Sequence, residues 1–233
     1  MINGKKVLGL IPARGGSKGI TRKNVRRLGD KPLIAWTIDE AKKSIYLDSL
    51  VVSTEDREIA NISIDYGAEV PFMRPNELAT DSAQTIDVVL HAVDRLPYFD
   101  LIVVLQPTSP LRIVDDIDGA VEEFDNRNIN VVSVTEAAKP PSWMYTLDAN
   151  RYLKNIVESS FGVSNRQEIP VTYVLNGAIY IMSSVTLREK RGFIIDPTLG
   201  YLMPSNRSID LDTELDWLFA ESLISWQRNK NPY

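Results

Sequence analysis

Apolar positions along the chain follow two alternating periods. Val7 to Ile11, Leu50 to Thr54, the first part of "DLIVVLQPTSPLR" up to Leu105, and "NVVSVTE" are short runs rich in β-branched and aliphatic residues, as expected of strands buried on both faces. Between them the period lengthens. Leu33, Ile34, Trp36, Ile38, Ala41 and Ile45 recur at three-to-four spacing, predicting a helix over 32–46 with Pro32 at its first position. Thr54 is placed to cap a second helix that runs to Tyr66 and stops at Gly67. "AEVPFMRP" reads as a short strand, and further helices are expected over Thr85 to Leu96 and Asp115 to Phe124. Such βα alternation predicts one domain spanning 1–233, a three-layer α/β/α fold on a mainly parallel sheet.

The rhythm breaks at residues 139–170. Two adjacent prolines, no helical period and alternating stretches such as "YLKNIV" predict a projecting excursion of antiparallel strands. It is too thin to bury Trp143, Tyr145, Tyr152, Ile156 and Phe161 by itself, so it needs a partner surface or forms a surface lid. In "YVLNGAIYIM" the Asn176-Gly177 pair is compatible with a hairpin turn or with a bulge in a continuing strand. A last amphipathic helix starts at Thr213.

Composition narrows the chemistry. With 44% hydrophobic and 24% charged residues the chain is globular rather than disordered or fibrous. It has no cysteine, which excludes disulfides, thiolate zinc sites and a cysteine nucleophile; a single histidine, His91, excludes histidine-rich metal sites and reads as structural. No long apolar run is present and "MINGKK" leads directly into a strand, so the expectation is a cytoplasmic enzyme with no membrane or nucleic-acid partner.

The chain is acidic overall, with 26 basic against 31 acidic residues and a net charge of −5. Against that background, Arg14, Lys18, Arg22, Lys23, Arg26 and Arg27 fall within fourteen residues that contain no acid, directly after the first strand. Gly15, Gly16 and Gly19 share the loop, and glycine lets a backbone approach a ligand and offer it N–H groups. A solvated basic loop is one reading. The other, favoured by a position at the carboxyl end of a strand, is a triphosphate cradle. It is not a Walker loop and not G-x-G-x-x-G, because both spacings are absent.

Three later clusters carry polar chemistry. "RPNELATDS" holds Arg74 and Ser82, with Ser82 also suited to cap the next helix. "QPTSPLR" sets Gln106, Thr108, Ser109 and Arg112 in a proline-stiffened loop after a buried strand. Asp210 and Asp212, two apart in an extended segment, point to one side, as a hard divalent ion requires; Asp212 is also placed to act as an N-terminal helix charge.

"IPARGGSKGITRKN", "RPNELATDS", "QPTSPLR", "NGAIYI" and "SIDLDTELDW", in this order, resemble the signatures of the cytidylyltransferases that activate nine-carbon acidic sugars. These are the CMP-sialic acid synthetases and their legionaminic and pseudaminic acid relatives. The resemblance implies a nucleotidyltransferase fold, CTP and a nonulosonic acid as substrates, Mg²⁺ as cofactor and a homodimer formed through the excursion. It also implies roles: Arg14, Lys23 and Asp212 in catalysis; Ser17 and Asn24 on the triphosphate; Arg74 and Ser82 on the cytidine. Gln106, Arg166 and Asn176 fall to the sugar, and Asp210 with Asp212 to the metal. Tyr145 stands near the position where sialic acid enzymes tend to carry a lysine.

Overall fold

In a computed structural model, which describes residues 1–156 and 170–230 with side chains up to 226, β1 (Val7–Pro12) lies inside a six-stranded sheet. The chain next makes a two-strand ribbon, β2 (Arg27–Leu28) and β3 (Lys31–Pro32), then α1 (Leu33–Ala41), β4 (Ser49–Ser53) and α2 (Arg57–Asp65). There follow α3 (Thr85–Arg95), β5 (Leu101–Leu105), α4 (Val114–Arg127) and β6 (Asn130–Glu136). A second ribbon, β7 (Tyr145–Leu147) with β8 (Leu153–Asn155), leads to β9 (Tyr173–Ser183), α5 (Ser184–Lys190), β10 (Thr198–Leu202) and α6 (Glu214–Lys230).

The spatial order is β10-β6-β9-β5-β1-β4. β1 runs parallel to β4 and β5, and β10 parallel to β6, while β9 is antiparallel to both its neighbours. The strand alternation divides the core between the two faces of the sheet. Val7, Ile11, Val103 and Leu105 pack with α1, α2 and α4 through Ile34, Ile38, Ile59, Ile117 and Phe124. Leu8, Leu10, Ile102 and Val104 pack with α3 and α5 through Ile86, Val89, Val93 and Leu187. Both faces are covered, which is why these strands read as unbroken apolar runs.

A third cluster lies outside the sheet. Ile20, Leu28 and Leu33 from the N-terminal third meet Leu111, Leu211, Trp217, Ala220 and Ile224. It joins the glycine loop to the last segment of the chain.

Several boundaries differ from the sequence reading. α1 ends at Ala41 rather than Tyr46, because the Asp118 carboxylate accepts from Ser44 Oγ and Ile45 N and draws the chain off the helical path. Asp56, not Thr54, caps α2: its carboxylate accepts from Glu58 N and Ile59 N, and the Thr54 hydroxyl accepts from Asp56 N, ahead of the helix. α3 has Gln84 at its cap position with no side-chain bond, so Ser82 does not cap it. "AEVPFMRP" forms a single bridge, Val51 to Glu69, since its prolines remove ladder donors. Asn176-Gly177 is a bulge within continuous β9, with a register shift against Val132 and Val134 and Gly177 at φ +73. α5 and β10 carry no strong sequence signal.

β7 and β8 pair antiparallel, and Asp148 Oδ1 closes their turn by accepting from Asn150 N and Tyr152 N. Trp143, Tyr145, Leu147, Tyr152, Leu153 and Ile156 are all exposed. Phe161 and Arg166 lie outside the described residues.

Trp217 is among the largest fully buried side chains and fills the cluster that joins the two ends of the chain. Trp217→Ala should lower unfolding free energy by about 3–5 kcal/mol in urea titration, the cost of truncating a large buried aromatic. A loss below ~1 kcal/mol would show that α6 is not docked there.

Candidate functional site

A cleft of about 440 Å³ opens at the carboxyl edge of the parallel strands. The loop after β1 lines it with Arg14, Gly16, Ser17, Lys18, Gly19, Lys23 and Asn24; Arg74, Thr80, Asp81 and Ala83 form the opposite rim. Gln106, Pro107 and Thr108 after β5 make the floor, with Asp210 and Asp212 closing one side. Residues far apart in the chain therefore meet where open α/β sheets bind ligands.

Only part of the basic cluster faces this cleft. Arg22, at φ +54, turns away to Asp56 and Glu58, which hold its guanidinium charged. Arg26 pairs with Glu214 at 2.6 Å and lies over the Trp217 ring, 4.4 Å from its centroid. Arg27 donates to the Asp30 carbonyl. That leaves Arg14, Lys18 and Lys23 as the members of the cluster that line it, with Arg74 a fourth cation from the opposite rim.

The glycines divide in the same way. A Cβ on Gly16 would meet nothing within 4 Å, so this backbone stands open to a ligand. On Gly19 a Cβ would come within 2.0 Å of the Asp212 carbonyl oxygen, so Gly19 is required by the protein's own packing. The same junction is closed by Lys23, whose ammonium donates to the Leu211 carbonyl and lies 3.3 Å from Asp212 Oδ1. Leu211 N donates to the Thr108 carbonyl at 2.9 Å, tying this segment to the floor loop as well.

Other side chains brace the loop. Asn24, buried, donates from Nδ2 to the Arg14 carbonyl at 2.9 Å, while its buried Oδ1 has no partner among the described residues. Ser17 Oγ donates to the Ile20 carbonyl. Glu55, which sequence reasoning passed over, accepts from Gly15 N at 2.7 Å and from Arg74 Nη2 at 2.6 Å, so one carboxylate fixes both the glycine loop and Arg74. Arg74 is buried and also reaches the Ala13 carbonyl at 3.3 Å.

On the floor, a Cβ on Gly177 would lie 3.1 Å from Gln106 Oε1 and 3.5 Å from Asp210 Oδ2, which places the β9 bulge against both. Burial pushes the Asp210 carboxyl up and the charge of Asp212 adds to this, while the Thr108 hydroxyl and Lys23 oppose it. Beneath lies Arg112, fully buried, its guanidinium pushed down to about 10 by desolvation. It donates to the Ala178 carbonyl at 2.8 Å, the Gln106 carbonyl at 3.3 Å and Thr37 Oγ1 at 2.8 Å, linking the floor loop, the bulge and α1. The sequence placed Arg112 in a polar cluster; only the packing shows it beneath the surface.

Two expected site residues, Asn176 and Ser82, are not in the cleft lining. Asn176 is turned inward: its Oδ1 accepts from Ser133 Oγ and Ala178 N, and its Nδ2 donates to Ser208 Oγ at 2.9 Å. A bulge reverses the side-chain alternation, so Gly177 and not Asn176 borders the site. Ser82 sits just behind the rim, its hydroxyl 3.2 Å from Thr80 Oγ1. Arg166 lies outside the described residues. His91 accepts from Arg95 Nε on α3 and meets the edge of Phe72, away from the cleft.

Among the described residues no group of three or more His, Cys, Asp or Glu could hold a metal by itself. Asp210 and Asp212 do supply oxygen donors to one cleft that also holds the glycine-rich loop. This suits a divalent ion that takes its other ligands from substrate phosphates and water. No helix of the described residues is long and apolar enough to cross a membrane.

A family model described as "Cytidylyltransferase" matches residues 8–194. The chain is 38% identical over 227 residues to a CMP-N,N'-diacetyllegionaminic acid synthase of Legionella pneumophila, covering 94% of this chain and 96% of that protein. It is 35% identical over 228 residues to an N-acylneuraminate cytidylyltransferase of Escherichia coli O18:K1:H7, covering 97% of this chain but 53% of that longer protein. Among solved structures, a CMP:2-keto-3-deoxy-manno-octonic acid synthetase complexed with CTP superposes with a TM-score of 0.73 at 15% identity, over 95% of this chain and 99% of that one. At that identity the likeness establishes the shared fold, an α/β nucleotidyltransferase architecture.

The Gly19 contact sets a direct test of the junction. Gly19→Ala forces a methyl onto the Asp212 carbonyl, and because backbone stands on both sides neither can yield cheaply. The variant should keep its sheet, seen as an unchanged far-ultraviolet spectrum, while losing at least ~10-fold in affinity for nucleoside triphosphate by calorimetry. Wild-type affinity would show that the loop and Asp212 need not touch.

Proposed function

The chain belongs to the cytidylyltransferase family, and from that premise we propose that it transfers CMP from CTP to the anomeric hydroxyl of a nine-carbon acidic sugar, releasing pyrophosphate. The observation that carries this reading is the meeting of Arg14, Lys18 and Lys23 with Asp210 and Asp212 across one glycine-lined cleft. The names of the relatives from Legionella pneumophila and Escherichia coli support a legionaminic or sialic acid as acceptor.

In the proposed reaction the anomeric oxygen forms a bond to the α-phosphorus, the bond from that phosphorus to the bridging oxygen breaks in line, and the hydroxyl proton passes to water. Arg14 and Lys18 neutralise the departing pyrophosphate, while Lys23 faces the α-phosphate. Gly16 N and Ser17 bind the triphosphate oxygens, with Asn24 holding the loop through the Arg14 carbonyl. Arg74, kept in place by Glu55, addresses the cytidine together with the rim around Ser82. Gln106 takes the sugar from the floor, with Arg166 assigned to the same ligand. Asn176 acts indirectly in this scheme, by shaping the bulge. A divalent ion, Mg²⁺ in this proposal, would be held by Asp210 and Asp212 and would supply charge neutralisation at the phosphates. The exposed aromatic and aliphatic residues of the excursion support a homodimer formed through that surface.

Pyrophosphate release with CTP, UTP, GTP and ATP, each offered with N-acetylneuraminic, di-N-acetyllegionaminic and pseudaminic acids, tests the assignment. Turnover is expected with CTP and a nine-carbon acid; turnover only with a sugar phosphate would overturn it. Asp212→Ala should abolish turnover with an unchanged unfolding midpoint, and near-normal rates in saturating Mg²⁺ would remove Asp212 from the mechanism. Arg14→Ala should lose at least ~100-fold in kcat, whereas a change confined to KM would make Arg14 a ground-state contact.

A further inference from the structure

Asp81 stands on the rim opposite the glycine loop, and its carboxylate spans the cleft to two of the three cations that the loop after β1 contributes to the lining. Oδ1 lies 2.9 Å from Arg14 Nη2, and Oδ2 lies 2.9 Å from Lys18 Nζ. Both oxygens are thus engaged with the groups assigned above to the pyrophosphate end of the nucleotide, and these contacts hold the Asp81 carboxyl below its ordinary range, Lys18 contributing most. A carboxylate on two cations is a stand-in for a phosphate group: it has the same sign, the same oxygen acceptors and the same partners. Phosphate oxygens that approach Arg14 Nη2 and Lys18 Nζ meet the Asp81 carboxylate already on those nitrogens, and although further N–H donors remain on both groups, the like charge of the two anions sets them in competition.

We infer that Asp81 is an internal anion that occupies the pyrophosphate end of the cleft and competes with the ligand for Arg14 and Lys18, so that it sets the affinity for the nucleotide and for the pyrophosphate leaving group. The inference rests on the assignment of that cleft to a triphosphate. Its physical consequence is a weakened but exchangeable site. Incoming triphosphate brings several charges and displaces one carboxylate; departing pyrophosphate is replaced by Asp81, so the cations are not stripped of a partner as the product leaves. Both ion pairs are partly exposed, with side-chain exposures of 35% for Arg14, 49% for Asp81 and 76% for Lys18. Exposed pairs are individually weak, so the competition is set at a few-fold to tens-fold rather than at a level that would shut the site.

Calorimetric titration with inorganic pyrophosphate, without divalent metal or sugar, reads this directly in the wild type, Asp81→Asn and Glu77→Gln. Glu77 is exposed on the same rim, outside the cleft lining, and controls for removal of one negative charge at a distance. Asp81→Asn should bind pyrophosphate about 2- to 30-fold more tightly than the wild type, the release expected from two exposed ion pairs, while Glu77→Gln stays near the wild-type value. In turnover with CTP, Asp81→Asn should be inhibited by pyrophosphate at correspondingly lower concentration. Unchanged or weaker binding by Asp81→Asn would overturn the inference, as would an equal gain in Glu77→Gln. If the wild type binds neither pyrophosphate nor, with Mg²⁺ present, CTP, the assignment of the cleft to a triphosphate falls and the inference with it. Normal wild-type binding with an unaltered Asp81→Asn removes only the role of Asp81.

Discussion

The site depends on the docking of residues 211–212 against the loop after β1. Leu211 is fully buried between Ile20, Leu28 and Trp217, and that apolar contact supplies the attraction. The register is set by polar groups around it: Lys23 on the Leu211 carbonyl, Leu211 N on the Thr108 carbonyl, and a Gly19 backbone close enough to Asp212 to exclude any side chain. Three loops from separate parts of the chain are thereby locked to one another. Without this junction the carboxylates of Asp210 and Asp212 would have no fixed relation to the cations that lie across the cleft.

Charge in this region is balanced largely within the protein. Of the basic residues that follow β1, Arg22 and Arg26 serve α2 and α6 by pairing with Asp56, Glu58 and Glu214. Those that remain in the cleft are not bare either, since Asp81 lies on Arg14 and Lys18 and Asp212 lies on Lys23. A polyanion that binds here exchanges partners with carboxylates instead of meeting uncompensated charge, which keeps both binding and release within reach of modest free-energy differences.

The floor is held by a different device. Burying the Arg112 guanidinium is unfavourable, as its lowered pKa of about 10 records, and its bonds to Ala178, Gln106 and Thr37 offset that cost. Those same bonds join the β9 bulge to the loop that carries Gln106 and Thr108. Asn176 complements it from the other side by occupying Ser133, Ser208 and the Ala178 N–H, which fixes the bulge and leaves Gly177 against Gln106 and Asp210.

Local sequence determined what local forces control. The unbroken apolar runs of β1, β4, β5 and β6 require a sheet covered on both faces, and the helical spacings between them require crossovers; that Arg14, Lys23, Arg74, Gln106, Asp210 and Asp212 share one site was implied by the resemblance of the ordered motifs to a known family, and the cleft lining holds all six. Tertiary structure decided what depends on partners distant in the chain. Which cations face the cleft is set by where Asp56, Glu58 and Glu214 lie; the direction of Asn176 is set by a bulge that shifts register against β6. The ion pairs of Asp81 likewise join positions more than sixty residues apart. Periodicity encodes which face of an element is buried, but an ion pair or a close backbone approach is a relation between two elements, and it exists only once both are in place.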